Sequence, residues 1–176
     1  AAGNVTEYVY DATNNLIAVN DRRGNSTKYV YDALNRLTQV TDALGNTETY
    51  GYDKVGNLLT NTDERQNTTQ YSYNTRNRLT EMIDALGSIV SYAYDGVGNQ
   101  LSETNELGRT TTYTYNGLNQ LTQVSDALNQ STTFGYDAVG NLTSLTDALG
   151  RLTTYGYDAL NRQVTRVNAL GDASTT

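Results

Sequence analysis

The chain of 176 residues carries a formal net charge of −7 at pH 7 and contains no histidine, cysteine, tryptophan or proline. Without cysteine it can form neither a disulfide nor a thiolate site, and with a sequence pI near 4.4 it lacks the clustered basic residues that nucleic acid requires. No apolar run reaches the roughly 18 residues that span a bilayer, and no targeting pattern opens the sequence, so any secretion signal is expected outside these residues.

A 21-residue repeat accounts for the sequence, because tyrosine followed by aspartate or asparagine returns at this interval throughout. We predict one array over residues 1–176, with a partial unit at 1–9 and units beginning at residues 10, 31, 52, 73, 94, 115, 136 and 157. A fixed period in this range indicates stacking of one supersecondary unit. The chain starts and stops within a unit, so we expect a segment of a longer array. The motif residues are Tyr10, Asp11, Tyr31, Asp32, Tyr52, Asp53, Tyr73, Asn74, Tyr94, Asp95, Tyr115, Asn116, Tyr136, Asp137, Tyr157 and Asp158.

Each unit predicts two tight turns and two strands. In the unit that begins at Tyr31, residues 32–35 (DALN) and 42–45 (DALG) both place aspartate first and asparagine or glycine fourth. Aspartate accepts backbone N–H bonds in a type I turn, and glycine or asparagine tolerates the left-handed conformation that closes a three-residue hairpin loop. The segments between turns are rich in Thr, Val, Tyr and Leu and have the length of strands.

The predicted fold class is therefore all-β, with about 17 antiparallel strands in one long sheet. Twist accumulates in a sheet of this size, so we expect it to be curved or spiralling. A parallel β-solenoid with one coil per repeat is the alternative, which the tight turns disfavour because they make consecutive strands antiparallel neighbours.

Two aromatic rings per unit, such as Tyr29 and Tyr31, lie two residues apart and are predicted to share one face of the sheet, with Leu37 and its equivalents as partners. Side chains alternate between the two faces of a sheet, so a repeat with an odd number of residues, joined by two identical loops of odd length, would place successive tyrosine pairs on opposite faces. Either a bulge absorbs one residue per unit, or adjacent units differ. The alternation of residues 34–36 (LNR) with 55–57 (VGN) suggests a period of 42, which is structural or records duplication of a two-unit block.

The Tyr-Asp pairs, the Asn-Arg-Leu-Thr segment at 35–38 and the Asp-Ala-Leu-Gly turn at 42–45 together resemble the RHS or YD-repeat family over all units. The resemblance implies hairpin repeats that wind into a spiral sheet and form a hollow shell. Such shells enclose the toxic C-terminal domain of bacterial polymorphic toxins and insecticidal toxin complexes, and similar barrels occur in cell-surface teneurins. The chain departs from the family in having no proline after the turn aspartate and no self-cleavage segment, so autoproteolysis is not expected.

No catalytic residue, cofactor or metal site is predicted. The motif carboxylates are interpreted as turn caps, because catalysis needs a nucleophile with a base, an acid and base pair, or a metal. Calcium binding along a row of Asp and Asn is a less favoured alternative. The tyrosine rows are interpreted as the core of the sheet, with stacking on sugars as the alternative, and Thr110 and Thr112 as strand formers rather than an ice-binding pair.

We expect a structural, non-catalytic shell segment in a secreted or surface protein, with other repeats of the parent chain and an enclosed cargo domain as partners. The alternatives are a fibre or tube assembled head-to-tail from identical subunits through end strands, and a weak multivalent carbohydrate-binding module.

Overall fold

A computed structural model describes residues 5–175, which form β-strands joined by tight turns. The 17 strands are β1 (Glu7–Tyr10), β2 (Leu16–Asn20), β3 (Ser26–Tyr31), β4 (Leu37–Thr41), β5 (Thr47–Tyr52), β6 (Leu58–Thr62), β7 (Thr68–Tyr73), β8 (Leu79–Ile83), β9 (Ile89–Tyr94), β10 (Gln100–Thr104), β11 (Thr110–Tyr115), β12 (Leu121–Ser125), β13 (Ser131–Tyr136), β14 (Leu142–Thr146), β15 (Leu152–Tyr157), β16 (Gln163–Val167) and β17 (Ala173–Thr175). The predicted all-β class is confirmed.

The chain divides into two compact units, residues 1–89 and 90–176. In the first unit β1 to β8 pair antiparallel in chain order. In the second unit β9 to β17 pair in the same way. The two-strand antiparallel repeat is thereby confirmed, and the parallel solenoid is wrong. The prediction of a single repeat array over residues 1–176 stays a prediction.

Two series of turns alternate along the chain. The A turns follow the strands that end in tyrosine, and the B turns follow the intervening strands. In each of the two compact units, the A turns lie at one edge of the sheet, which we call the A edge. The B turns lie at the opposite edge, the B edge. The A turns begin at Asp11, Asp32, Asp53, Asn74, Asp95, Asn116, Asp137 and Asp158; the B turns begin at Asp21, Asp42, Asp63, Asp84, Asn105, Asp126, Asp147 and Asn168.

Both series share the predicted turn chemistry. In the B turn at Asp42, the carboxylate Oδ1 accepts the backbone N–H groups of Leu44 and Asn46, each at 2.8 Å. The N–H of Gly45 donates to the Asp42 carbonyl at 3.1 Å, and Gly45 has a positive φ of 87°. Gln66, which departs from the Gly or Asn pattern, adopts a φ of 67° in the same position. The short polar side chain at the first position therefore satisfies the donors that the reversal leaves free.

A β-bulge in each 21-residue repeat explains how an odd repeat length keeps the tyrosines on one face of the sheet. β3 and β4 pair Tyr31 with Leu37 and Val30 with Gln39, which leaves Thr38 as the extra residue. The same irregularity recurs where each tyrosine strand meets the strand after the A turn. Because the bulge takes one residue out of the pairing, every tyrosine pair stays on the same face. The first of the two sequence alternatives, absorption by a bulge, is correct.

The two faces of the sheet differ in composition. Tyr29 lies opposite Val40 and Tyr31 opposite Leu37, and we call this side the tyrosine face. The opposite side, the hydroxyl face, carries pairs such as Thr41 with Thr47. Among the side chains of residues 5–174, Val90 alone is buried, at 5% exposure. Half-burial of the tyrosines is what a one-layer sheet gives, because the rings contact neighbours within their own face.

Candidate functional site

The tyrosine of each Tyr-Asp motif ends a strand, and the following Asp or Asn begins an A turn. Its hydroxyl joins strands that the chain leaves unconnected at the A edge. Tyr52 of β5 donates to the carbonyl of Leu37 in β4 at 2.9 Å, although these strands are joined by a turn only at the B edge. Such a bond fastens the tyrosine strand to the preceding strand. Equivalent bonds run from Tyr31 to Leu16, Tyr136 to Leu121 and Tyr157 to Leu142.

Burial favours the neutral form of several tyrosines of this face. Burial, followed by a hydrogen bond with Glu48, raises the pKa of Tyr50 to about 12. Burial also raises the pKa of Tyr73 and of Tyr92 above the ordinary value. Tyr50, Tyr73 and Tyr92 are half-buried, which suits their rings to packing within the face and leaves them less free to stack on a sugar.

Side chains also link neighbouring A turns. Asn57 Nδ2 donates to Asp53 Oδ2 in its own turn at 2.7 Å and to Asn77 Oδ1 of the next A turn at 3.0 Å. Asn77 occupies the left-handed position of its turn, with φ of 59°. An asparagine there accepts a lateral bond that glycine could not. The same link joins Asn15 to Asn35, Asn99 to Asn119 and Asn141 to Asn161.

This ladder of asparagines explains the 42-residue alternation. Turns that donate laterally end in a Gly-Asn or Asn-Asn pair, as at Gly56 and Asn57, whereas turns that accept carry asparagine at the left-handed position, as at Asn77. Donor and acceptor turns must alternate, so the repeating structural block comprises two units. The alternation is structural, which the sequence alone left open.

Arg36 joins an acceptor turn to the donor turn that follows it. Its Nε donates to Asp32 Oδ2 at 2.7 Å within its own turn, and its Nη1 donates to the carbonyl of Asp53 in the next A turn, also at 2.7 Å. The guanidinium lies 4.7 Å from the centroid of the Tyr52 ring, a cation–π distance. Arg36 therefore bonds both within its own turn, at Asp32, and to the next A turn, at Asp53.

The turn carboxylates are occupied by these structural bonds. The side chain of Arg36 holds the pKa of Asp32 below its ordinary value, helped by the backbone N–H of the same residue. The side chain and backbone N–H of Asn67 do the same for Asp63. Within residues 5–175 no three or more carboxylates gather in a group that could hold a metal ion.

Hydroxyl groups reinforce the opposite face. Thr62 and Thr68 bond to each other at 2.8 Å across a B hairpin, and the bulge residue Thr38 donates to the Val30 carbonyl at 3.2 Å. Opposite the bulged strand, Gly51 leaves room for Thr60, since a Cβ at Gly51 would overlap Thr60 Oγ1. Glycine between two tyrosines therefore permits close approach of the neighbouring strand.

Sequence reasoning brought the tyrosines to one face but missed the lateral asparagines and the role of Gly51. The signal for the asparagines was the alternation at residues 34–36 and 55–57. The signal for Gly51 was its recurrence between aromatic residues at Gly135 and Gly156, where a Cβ would meet Ser144 and Thr165.

Antiparallel hairpin units, closed by Tyr-Asp turns and fastened laterally along one edge, define a structural repeat protein of the YD type. The family model of the Teneurin YD-shell matches residues 2–172, so the chain belongs to that family. The resemblance expected from the motifs is confirmed. No protein with a curated description matches the chain.

Solved structures similar to the chain come from Tc toxins. The crystal structure of TcdB2-TccC3-Cdc42 matches 93% of this chain with 15% identity and a TM-score of 0.60, which shows a shared fold. A Tc holotoxin pore of Photorhabdus luminescens with a TccC3 mutation matches 93% of the chain with 16% identity and a TM-score of 0.48. The chain spans 13% of the length of each of these two structures' chains.

Proposed function

We propose that the array is a non-catalytic wall segment of a β-sheet shell that encloses a cargo domain in a secreted or cell-surface protein. The observation that carries this proposal is the match to the Teneurin YD-shell over residues 2–172. The other repeats of the parent chain and the enclosed domain would be its partners. None of the described residues forms a helix with the length and apolar character to cross a bilayer.

The construction of the sheet supports a wall. Its turn backbones are capped by their own aspartates or asparagines. Along the A edge, side-chain bonds join strands and turns that no loop connects at that edge, as at Tyr52 and Asn57. These bonds resist separation of neighbouring hairpins without help from a second layer. The titratable groups that repeat through the array are the turn aspartates, which bond within their turns, and the tyrosines of the tyrosine face. This arrangement favours a structural role over a catalytic one.

Size-selective labelling in the full-length protein tests enclosure. Thr111 and Thr112 are adjacent in β11, with Thr111 on the tyrosine face and Thr112 on the hydroxyl face. Because the chain has no cysteine of its own, Thr111→Cys and Thr112→Cys would each place a single reactive thiol in the array. In a closed wall a small maleimide labels both variants, whereas a maleimide on a long polyethylene glycol labels only the variant that faces outward.

Equal labelling of both variants by the bulky reagent would show that neither face is enclosed and would overturn the proposal. Denatured samples serve as the control, since both thiols should then accept the bulky reagent.

A further inference from the structure

One A turn begins with a chemically labile pair of residues. Asn116 is followed by Gly117, and Asn-Gly occurs nowhere else in the sequence. The turn does not need glycine at its second position, because Ala33 and Ala138 occupy that position in turns with the same hydrogen bonds. Gly117 is therefore not explained by the reversal of the chain.

The surroundings of Gly117 are open. The residue is exposed and does not have a positive φ. Apart from its two chain neighbours, none of the residues that the structure describes comes within 4 Å of the place that a Cβ on Gly117 would occupy. Because glycine has no side chain, its backbone nitrogen can approach the preceding side chain closely.

The amide of Asn116 is polarised by the turn. Its Oδ1 accepts the backbone N–H of Leu118 at 2.9 Å and that of Gln120 at 3.1 Å. Donors aimed at a carbonyl oxygen stabilise the negative charge that this oxygen gains when a nucleophile adds to its carbon, as in an oxyanion hole. The same two bonds that cap the turn therefore favour attack on Cγ of Asn116.

The backbone nitrogen of Gly117 is placed by the covalent chain to be the nucleophile, since its attack on Cγ of Asn116 closes a succinimide ring. Within residues 5–175 no backbone carbonyl accepts the N–H of this glycine. Its proton is therefore accessible to water or hydroxide.

We propose that Asn116 is a site of spontaneous deamidation in the folded chain. The Gly117 nitrogen gives its proton to solvent and bonds to Cγ, the bond from Cγ to Nδ2 breaks, and Nδ2 leaves as ammonia. Water then opens the succinimide at either carbonyl. Opening at Cγ gives aspartate, and opening at the main-chain carbonyl gives isoaspartate, in which the backbone runs through the former side chain. Water is consumed and ammonia released, with no oxidation or reduction.

The aspartate product keeps the turn. Asp95 and Gly96, one repeat earlier, form the sequence that this product would have. Asp95 Oδ1 accepts the N–H of Val97 at 3.0 Å and that of Asn99 at 2.9 Å, as an aspartate at position 116 would in its own turn. The reaction then adds one negative charge at a position where most A turns already carry a carboxylate.

The isoaspartate product opens the A edge. It inserts a methylene carbon into the backbone of the turn and moves the carboxylate away from the N–H groups that Asn116 caps. It also displaces Asn119, whose Oδ1 accepts the lateral bond from Asn99 Nδ2 at 3.0 Å. Ageing of the protein therefore weakens the link between two neighbouring hairpins at one defined place.

Peptide mapping by mass spectrometry, after incubation of the folded chain at mildly alkaline pH, tests the proposal. Asn116 should exchange its amide NH₂ for OH or O⁻ before Asn105 and Asn168 do. These two asparagines have the same pair of bonds to Oδ1 but are followed by residues with side chains. The urea-denatured chain is the control that shows that the assay detects the reaction.

Gly117→Ala is the matched variant, because it copies the natural pair Asn168 and Ala169. It should fold like the wild type by circular dichroism and slow the conversion of Asn116 by about tenfold, which corresponds to a rise of about 1.4 kcal/mol in the barrier. Conversion of Asn116 in the denatured chain but not in the folded chain, equal rates with and without Gly117→Ala, or equal conversion of all three asparagines would each overturn the proposal.

The two products are distinguished by stability. Asn116→Asp should melt at the temperature of the wild type, whereas aged chains in which isoaspartate is detected by enzymatic methylation should melt at a lower temperature. Aged chains that contain isoaspartate and melt like Asn116→Asp would show that deamidation does not open the A edge.

Discussion

The two edges of the sheet use the same turn and differ in the side chains that link neighbouring turns. At the A edge, tyrosine hydroxyls, asparagine side chains and Arg36 bond across to neighbouring strands or turns. At the B edge, the Asp42 carboxylate and the Thr62–Thr68 pair bond within their own hairpins, and Asn61 Nδ2 donates to Glu48 Oε1 of the preceding B hairpin at 3.1 Å. The bulge also lies on the A side, next to each A turn.

Turn chemistry and the cohesion between neighbouring hairpins are therefore separate properties of the sheet. Aspartate at the first position is enough to reverse the chain at either edge. Holding adjacent hairpins together needs further side chains, and these are concentrated along the A edge.

Acid should weaken both edges together, because both depend on ionised turn aspartates. Their folded-state pKa lies below the ordinary value of 3.8, as at Asp32 in an A turn and Asp63 in a B turn. A depressed folded-state pKa stabilises the fold fully above the unfolded value, and this stabilisation is lost as pH falls through the folded value. Melting temperatures should stay level down to about pH 5 and fall steeply below about pH 4.

Thermal melts followed by circular dichroism across this pH range would measure the effect. Asp63→Asn, which copies the natural Asn105, should flatten the acid dependence slightly. A melting temperature unchanged to the lowest pH would show that the ionised form of these carboxylates does not matter.

Gly51→Ala should destabilise the A side of the first unit by about 1–3 kcal/mol, because its Cβ would overlap Thr60 Oγ1. Adding Thr60→Ala should recover part of the loss by removing the overlapping hydroxyl. Chemical denaturation of the two single variants and the double variant gives the coupling free energy between positions 51 and 60. Ala93 occupies the position that corresponds to Gly51 two repeats later, where it lies opposite Ser102. A methyl group at this position is therefore compatible with a strand, and the expected loss at Gly51 comes from its neighbour Thr60. Strictly additive effects at Gly51 and Thr60 would argue against the close approach.

Tyr157→Phe should cost about 1 kcal/mol, because it removes the bond to the Leu142 carbonyl and leaves that acceptor to solvent. Tyr155→Phe is the control, since Phe134 already occupies the corresponding position one unit earlier. Unfolding free energies of the two variants should therefore differ. Equal losses would show that the hydroxyl of the second tyrosine does not fasten the A edge.

The smallest effect isolates the asparagine ladder. Asn77→Gly at the A edge and Asn129→Gly at the B edge both replace asparagine at a positive φ, of 59° and 61°. The relief of backbone strain and the change in the unfolded chain are therefore alike, and only Asn77 loses a lateral bond, from Asn57. Asn77→Gly should be less stable than Asn129→Gly by about 0.5–1 kcal/mol. If chemical denaturation gives equal free energies of unfolding for the two variants, the lateral bond between asparagines does not stabilise the fold.

The sequence was sufficient for the turns and the tyrosine face, because both depend on local chemistry and on alternation. Asp42 and Gly45 define a turn without reference to the rest of the fold, and Tyr29 and Tyr31 share a face in any strand. The bulge at Thr38 could be required by parity but not located, since its position depends on which residues pair across strands. Asn77 was interpreted only as a turn residue, because its second role requires a neighbour 20 residues away.

The alternation of donor and acceptor turns has a consequence for how such a sequence can grow. Duplicating a single unit leaves every side chain on its proper face, thanks to the bulge, yet sets two donors or two acceptors next to each other. Duplicating 42 residues preserves each asparagine partnership. Recombination that lengthens this gene, or an engineer who wishes to extend the protein, should therefore add hairpins in even steps.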